Sequence, residues 1–262
     1  MRAADHPYFD TTGPVGLAHR GGAEFTPNVG RENTIAAFGA AIGLGFRYLE
    51  TDVHTTSDGV LVAFHDTVLD RVTDTAGAIA DLPYDVVSAA RTAAGDGIPL
   101  LDEVLETFPE ARINIDVKAV GAIEPLVAAI RSHSALDRVC VGSFSDARLA
   151  AVRKALGPGL ATAMGPRGVA QMRFTPHLLS RILHSPAPVL QIPTGHTVRG
   201  RRVRLVTPGL VRQVHRLGKH LHVWTIDDPA EMRRLLDLGV DGIVTDRPDT
   251  LVDVFGERQL TP

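Results

Sequence analysis

The sequence lacks several features that mark secreted, membrane-spanning or nucleic-acid-binding proteins. It contains one cysteine, Cys140, so no disulfide can form within the chain and nothing calls for an oxidising compartment. No stretch approaches about 18 uninterrupted apolar residues and the first residues lack the apolar core of a signal peptide, so we expect no stable membrane insertion and a cytoplasmic location. The formal net charge is only −3. It gives no general attraction to nucleic acid, and no such partner is expected.

Short β-branched runs alternate with longer helical patterns along all 262 residues. This rhythm predicts a parallel α/β fold, and eight units over this length favour a closed (β/α)₈ TIM barrel over an open doubly wound sheet. We expect a single catalytic domain over 1–262, with a short insertion after the second strand at about 67–99. The oligomeric state stays open. The eight predicted strands are 15–19, 46–54, 112–118, 138–143, 159–164, 188–193, 220–226 and 241–245.

Helical patterns fill the intervals between the predicted strands. Asn33 or Thr34 is expected near the cap of the first helix. A basic segment, Arg199 to Arg204, follows the sixth strand and has the pattern of a hairpin. It is either a solvated loop or a patch that attracts anionic head groups. The predicted helices are 32–44, 102–108, 121–133, 146–156, 175–183, 208–217 and 228–238, with a last one from Asp249.

Three carboxylates are expected at the carboxyl ends of neighbouring strands, where barrels collect their functional groups. Glu50 and Asp52 are two residues apart on one predicted strand and therefore face the same side. Asp116 ends the next strand of the predicted barrel. Converging carboxylates repel one another, and a hard divalent cation, Mg²⁺ or Ca²⁺ in preference to zinc, would relieve this. The alternative is that the acids are solvated or paired with Arg and Lys.

Two histidines and two cations end strands beside these acids. His19 and His65 are candidates for proton transfer, because an imidazole titrates near neutrality and can act as acid or base. Arg20 and Lys118 would offer fixed positive charge to an anionic group such as a phosphate. The alternative for each cation is a structural salt bridge, and Asp116 lies close enough to Lys118 for one.

Together these residues resemble the glycerophosphodiester phosphodiesterase family, the compact bacterial type in particular. The resemblance runs from about residue 15 to 250 and is specific as a combined pattern. The motifs that carry it are His19-Arg20-Gly21-Gly22, Glu32-Asn33-Thr34, Glu50-Thr-Asp52-Val-His54, Asp58-Gly59, Phe64-His65-Asp66, Ile98-Pro99, Asn114-Ile-Asp-Val-Lys118, His222-Val-Trp-Thr225 and Gly239-Val-Asp-Gly-Ile-Val-Thr-Asp246.

The resemblance implies hydrolysis of a small glycerophosphodiester to glycerol 3-phosphate and an alcohol, with one divalent cation. It implies that Glu50, Asp52 and the acid of the third strand hold the metal and that His19 and His65 are the acid and base. It places the phosphate at Arg20, with Glu32 at the pocket and Trp224 beside the glycerol. The family's third-strand pattern is usually E-x-K, whereas this chain has the shorter Asp116 before Lys118. Asp116 could ligate directly or through water.

Two other functions compete with this interpretation. A phospholipase D of the sphingomyelinase type resembles it in fold, histidine pair and metal, and can have Asp as the third ligand. A barrel that has lost catalysis and only binds phosphate esters is the second. The Glu32-Asn33-Thr34 motif and the full-length spacing favour the first family, and the complete set of histidines and acids favours an enzyme.

Overall fold

The protein is described by a computed structural model, which covers residues 1–175, 185–198 and 200–262. Eleven strands lie in these ranges. They are β1 Val15–His19, β2 Tyr48–Thr55, β3 Leu61–Ala63, β4 Arg112–Val117, β5 Val139–Gly142, β6 Ala161–Thr162, β7 Val189–Pro193, β8 Gly195–Val198, β9 Arg201–Arg204, β10 His220–Trp224 and β11 Gly242–Thr245.

Eight of the strands form a parallel barrel, in the order β6-β5-β4-β2-β1-β11-β10-β7. A further parallel bridge from Ala163 to Val189 joins the two ends of this order and closes the sheet on itself. The prediction of a TIM barrel is confirmed. All eight strands therefore present their carboxyl ends at one mouth, which is where the predicted site residues lie.

Helices alternate with the barrel strands, as the sequence pattern indicates. They are α1 Ile35–Gly43, α2 Tyr84–Ala89, α3 Leu101–Thr107, α4 Ile123–Ser132, α5 Asp146–Leu156, α6 Pro166–Phe174, α7 Pro208–Arg216, α8 Pro229–Leu238 and α9 Pro248–Gly256. None of the helices within the described ranges is long and apolar enough to cross a membrane.

Two predicted helices differ from those observed. The first begins at Ile35 instead of residue 32, because Asn33 has a positive φ of 60° and Thr34 caps the helix by accepting from the Ala37 backbone N–H at 3.2 Å. The helix predicted at 175–183 lies almost wholly outside the described residues. A helix at Pro166–Phe174, which the pattern did not predict, begins with proline at its first position.

Between β2 and the predicted insertion at about 67–99, the chain forms β3, which pairs antiparallel with the end of β2. The residues that follow, up to about residue 100, include α2 and build a small apolar cluster of their own around Leu69 and Ile79. The arrangement holds His65, next to β3, beside the carboxyl end of β2, and the Phe64 backbone N–H donates to the Asp52 carbonyl at 2.9 Å.

The amino-terminal segment closes the opposite end of the barrel. Tyr8 and Phe9 are buried among inward-facing strand residues, and the Tyr48 hydroxyl donates to the Tyr8 carbonyl at 2.5 Å. Cys140 is fully buried in the same inner cluster. Since apolar side chains fill this end, the polar inward-facing side chains are concentrated at the mouth.

The predicted basic segment lies within a hairpin of β8 and β9, directly after β7. Arg199 itself lies outside the described residues. Arg204 is exposed at the end of β9, and its carbonyl accepts from the Arg173 guanidinium at 3.1 Å. The hairpin follows the carboxyl end of a barrel strand and therefore stands on the side of the mouth.

Candidate active site

The turn after β1 positions Arg20 at the mouth of the barrel. Arg20 has a φ of 52°, and Gly21 and Gly22 follow with φ of 86° and 90°. Side chains are also excluded sterically, because a Cβ at Gly21 would lie 2.7 Å from the Ala37 Cβ, and one at Gly22 would lie 2.5 Å from the Pro248 ring. The two glycines therefore let the chain reverse in close contact with α1 and α9.

Arg20 joins several acids at the mouth. Its Nη1 donates to Glu32 Oε1 at 3.0 Å, its Nε lies 3.3 Å from Asp52 Oδ2, and its backbone N–H donates to Glu50 Oε2 at 3.2 Å. The residue thus offers a guanidinium fixed in orientation by carboxylates on two elements. Such a group can bind phosphoryl oxygens, as the sequence predicts.

His19, at the end of β1, is held through one ring nitrogen. Its Nδ1 is 2.8 Å from Asp246 Oδ1, so Nδ1 carries the hydrogen of that bond and Nε2 is left for proton transfer. Nε2 lies 3.8 Å from Glu50 Oε2. Burial acts to lower the pKa of His19, but the carboxylates of Glu50 and Asp246 outweigh it, and the pKa is raised.

His65 is held in the same manner from a different element. Its Nδ1 is hydrogen-bonded to Asp66 Oδ1, and its carbonyl is 3.0 Å from His54 Nε2. The bond from Arg71 holds the pKa of Asp66 down at about 2, so Asp66 is a carboxylate throughout the neutral range. Both candidate proton-transfer groups therefore have a carboxylate on Nδ1, which fixes the tautomer and the ring orientation.

The three predicted metal-binding acids face the same interior space. Asp52 on β2 is the register partner of Asp116 on β4, and Glu50 precedes Asp52 by two residues. Lys118 lies between the partners, with Nζ 2.8 Å from Asp52 Oδ1 and 2.7 Å from Asp116 Oδ2. The salt-bridge alternative considered for Lys118 is therefore realised in this structure.

The electrostatics of the acids indicate a shortage of positive charge at Glu50. Burial, followed by the nearby Asp52 carboxylate, raises the pKa of Glu50 well above its ordinary value. Burial also acts to raise the pKa of Asp52, but Lys118 and Arg20 outweigh it and the pKa is lowered. Asp52 is thus neutralised by the protein's own cations, and Glu50 is not.

A hard divalent cation suits the chemistry of this donor set. Asp116 Oδ1 is buried and has no hydrogen-bond partner in the part of the chain that the structure describes. A buried carboxylate oxygen without a partner and a buried acid whose pKa is raised are groups that a hard cation with oxygen ligands would suit. Across the described ranges, however, no three His, Cys, Asp or Glu residues are already arranged as a ligand group. Lys118 stands between two of the acids.

A pair of aromatic side chains lies beside Lys118. Trp224, at the end of β10, packs edge-on against Phe144, with ring centroids 5.8 Å apart. Phe144 is 66 % exposed, and Lys118 Nζ lies 6.0 Å from its centroid. The structure thus brings the predicted Trp224 to the same mouth and adds Phe144, an exposed apolar group that follows β5.

Besides Phe144, sequence reasoning missed four polar residues of the site. Asp246 and Asp66 appeared only within motifs, although the place of Asp66 next to His65 is a signal for pairing. Asn33 is buried and bridges Thr51 Oγ1, at 2.8 Å, and Asp52 Oδ2, at 3.3 Å. Arg71 contacts Glu32 and Asp66, and its place in the irregular insertion gives no periodic signal.

Comparison with known proteins identifies the family of the chain. Residues 19–250 match the glycerophosphoryl diester phosphodiesterase family. The chain belongs to that family. It is 39 % identical over 250 residues to a probable glycerophosphodiester phosphodiesterase 2 of Mycobacterium tuberculosis, covering 94 % of this chain and 92 % of the relative.

A second relative agrees with membership of the family, and a solved structure shares the fold. A glycerophosphodiester phosphodiesterase of Caldanaerobacter subterraneus is 31 % identical over 258 residues, covering 91 % of this chain and 96 % of the relative. The crystal structure of a putative glycerophosphoryl diester phosphodiesterase from Silicibacter pomeroyi covers 100 % of this chain and 99 % of its own, with 24 % identity and a TM-score of 0.79. This member of the family is a phosphoric diester hydrolase.

Proposed function

We propose that this family member hydrolyses a glycerophosphodiester to glycerol 3-phosphate and an alcohol with the help of one divalent cation. The observation that carries the proposal is the pair of histidines, each fixed by a carboxylate on Nδ1, at the mouth that also holds Arg20 and Lys118. Family membership and the names of the relatives supply the substrate class.

In the proposed mechanism, the cations of this chain hold the phosphate and the histidines move the protons. Arg20 and Lys118 provide positive charge to the phosphoryl oxygens, where negative charge increases in the transition state. One of His19 and His65 takes the proton of the attacking hydroxyl through Nε2, and the other gives a proton to the leaving alkoxide. Trp224 borders the glycerol.

Attack by the neighbouring glycerol hydroxyl would form a new P–O bond as the bond to the alcohol breaks. Water then opens the resulting cyclic phosphate, so that the sum is one water consumed and one alcohol and one glycerol 3-phosphate released. The two histidines exchange roles in the second step, and each returns to its starting protonation state.

Glu50, Asp52 and Asp116 would hold the cation, Mg²⁺ or Ca²⁺. When bound, it would supply Lewis acidity toward the phosphoryl oxygens and neutralise the acids. The unpartnered Asp116 Oδ1 and the raised pKa of Glu50 support this assignment. Lys118 would then share its two present partners, Asp52 and Asp116, with the cation.

A substrate panel tests the proposal. Purified protein with added Mg²⁺ or Ca²⁺ should release glycerol 3-phosphate from glycerophosphocholine, glycerophosphoethanolamine, glycerophosphoglycerol or glycerophosphoinositol, and excess chelator should stop the release. Sphingomyelin serves as the competing substrate. Cleavage of sphingomyelin with none of the glycerophosphodiesters cleaved would refute the proposal in favour of a sphingomyelinase-type phospholipase D.

A further inference from the structure

Arg71 connects two parts of the mouth that are distant in sequence. It lies in the insertion, after β3, and its side chain is 47 % exposed. Its Nη1 and Nη2 donate to Glu32 Oε2 and Oε1 at 2.8 and 2.7 Å, and its Nε and Nη2 donate to Asp66 Oδ2 and Oδ1 at 2.5 and 3.2 Å. It therefore binds both carboxylates in a bidentate manner, with four hydrogen bonds.

Each partner of Arg71 touches a group that has a role in the proposed chemistry. Asp66 is hydrogen-bonded to Nδ1 of His65, and Glu32 accepts from Nη1 of Arg20. Arg71 is thus one side chain away from a candidate proton-transfer group and one side chain away from a candidate phosphate-binding group. The loop before α1 carries Glu32, whereas Asp66 follows β3, so the Arg71 side chain joins two independent segments.

We propose that Arg71 is a positioning residue that fixes His65 and Arg20 relative to each other through Asp66 and Glu32. The inference rests on the proposed function, because it assumes that His65 and Arg20 act on the same phosphate. It assigns Arg71 no contact with the substrate.

The hydrogen-bonding capacity of Arg71 favours positioning over direct binding of phosphate. A guanidinium has five N–H donors, and four hydrogen bonds to carboxylates occupy most of them. Glu32 and Asp66 also neutralise its charge from both sides. Burial acts to raise the pKa of Glu32, but the Arg71 and Arg20 bonds outweigh it and the pKa is lowered. The acids remain ionised and hold the guanidinium between them.

Removing the guanidinium would leave Glu32 and Asp66 as unjoined carboxylates that repel each other. Asp66 would then hold the His65 ring less firmly, and Glu32 would hold Arg20 through one partner fewer. Misplacement of reacting groups by about 1 Å can cost roughly 100-fold in rate. The loss is therefore expected in kcat, with KM for the substrate changed far less.

The test compares Arg71→Gln and Arg71→Lys with Arg233→Gln. Arg233 is a matched control because it is 42 % exposed and makes a bidentate ion pair with Glu257, an exposed residue just after α9. With glycerophosphocholine and Mg²⁺, Arg71→Gln should lower kcat roughly 10- to 100-fold. Arg71→Lys should recover part of the loss and Arg233→Gln should show none. Thermal midpoints of the two Gln variants should fall alike.

A double variant separates positioning from substrate contact. If Arg71 acts through Asp66, then Arg71→Gln combined with Asp66→Asn should lose about as much kcat as the worse single variant. Losses that multiply, or a rise in KM with kcat unchanged, would show that Arg71 binds the substrate directly and would overturn the proposal.

Nitrogen-15 NMR of labelled histidines gives a readout that needs no turnover. In the unsubstituted protein and in Arg233→Gln, His65 should show a fixed Nδ1–H tautomer, and in Arg71→Gln the two tautomers should average. An unchanged His65 signal in Arg71→Gln would reject the positioning role, whatever the substrate is. If the unsubstituted protein cleaves no glycerophosphodiester, the proposed function fails separately, and the NMR result still decides the part played by Arg71.

Discussion

At the residue scale, both candidate proton-transfer histidines are held by an aspartate, and the aspartate comes from a different part of the chain in each case. His19 and His65 each direct Nδ1 to an aspartate, Asp246 from β11's end in one case and the adjacent Asp66 in the other. The bond fixes which nitrogen is free and so prepares Nε2 for the reaction before substrate arrives. Arg20, the candidate phosphate-binding group, is paired with acids from two segments, Glu32 before α1 and Asp52 on β2.

Replacing either histidine tests their roles. We expect His19→Asn and His65→Asn each to lower kcat by roughly 10²- to 10⁴-fold, since a positioned acid or base contributes about that much. His133→Asn is the control, because His133, at the end of α4, also has a carboxylate partner. Asp102 lies 2.8 Å from its ring. Steady-state kinetics at saturating metal measures the effect. Full activity in either site variant would contradict the assignment.

Asp116 is the second residue-scale test, because it replaces the longer acid that is usual in the family. Asp116→Asn should raise the Mg²⁺ or Ca²⁺ concentration for half-maximal activity about tenfold or more, since hard cations are held by ligand charge. Asp116→Glu should stay near the unsubstituted protein. A metal titration of activity measures both variants. An unchanged titration for Asp116→Asn would remove Asp116 from the ligand set.

The sequence could predict these residues only as far as their local pattern extends. Glu50 and Asp52 were found because strand alternation places them on one face, and Asp116 because neighbouring strands end together. Arg71 was missed because irregular backbone carries no periodicity. The pairing of Lys118 with both Asp52 and Asp116 depends on side-chain distances across two strands, which no single-strand pattern contains.

At the element scale, the sequence located the barrel strands well, and the errors fall at helix starts. The helix predicted from residue 32 begins at Ile35 with Thr34 as its cap, because Asn33 has a left-handed conformation through which an α-helix does not continue. Sequence patterns also failed to find α6, whose first turn contains Pro166 and Gly168, two residues with low helix propensity. The backbone conformation of the site accounts for the later start of α1, and low helix propensity accounts for the failure to predict α6.

Gly242 on β11 gives an element-scale prediction. A Cβ at this position would lie 2.6 Å from the Cδ2 of His222 on β10, inside the barrel. Gly242→Ala should therefore destabilise the fold by about 1–3 kcal/mol, as overpacking of a core does. Gly256→Ala, where a Cβ meets nothing within 4 Å, is the control. Denaturant unfolding measures both. Equal stability of the two variants would contradict the account of the barrel interior.

The β8–β9 hairpin gives a second prediction at this scale. If its arginines attract anionic head groups, then changing Arg201, Arg202 and Arg204 to Gln should raise KM for glycerophosphoinositol more than for glycerophosphocholine. The difference should shrink at high salt, because exposed charges are screened beyond about 10 Å at 0.1 M ionic strength. Equal changes in KM for the two substrates would contradict a role in attracting anionic head groups and favour the alternative of a solvated hairpin.

At the scale of the whole molecule, the fold separates stability from chemistry along the barrel axis. The amino-terminal segment closes one end with Tyr8 and Phe9, and the other end keeps the acids and bases. His222 lies between these regions, fully buried, with no hydrogen-bond partner for either ring nitrogen among the described residues. Desolvation lowers the pKa of His222 to about 3.

This buried histidine predicts how stability depends on pH. Between about pH 6.5 and 3 the unfolded chain binds a proton at His222 that the folded protein does not, so the free energy of unfolding falls as pH falls. The contribution is fully present above pH 6.5, and its slope reaches up to about 1.4 kcal/mol per pH unit. His222→Leu should show a shallower loss between pH 7.5 and 5 in denaturant unfolding. Parallel curves would contradict the prediction.

Hydrolysis in water enriched in oxygen-18, followed by phosphorus-31 NMR, tests the central claim most directly. Glycerophosphocholine incubated with the protein and Mg²⁺ should yield choline and glycerol 3-phosphate that carries one oxygen-18 on phosphorus, because water opens the P–O bond. His19→Asn should yield neither product at a comparable rate. Choline phosphate and glycerol as products, or glycerol 3-phosphate without the label, would contradict the account.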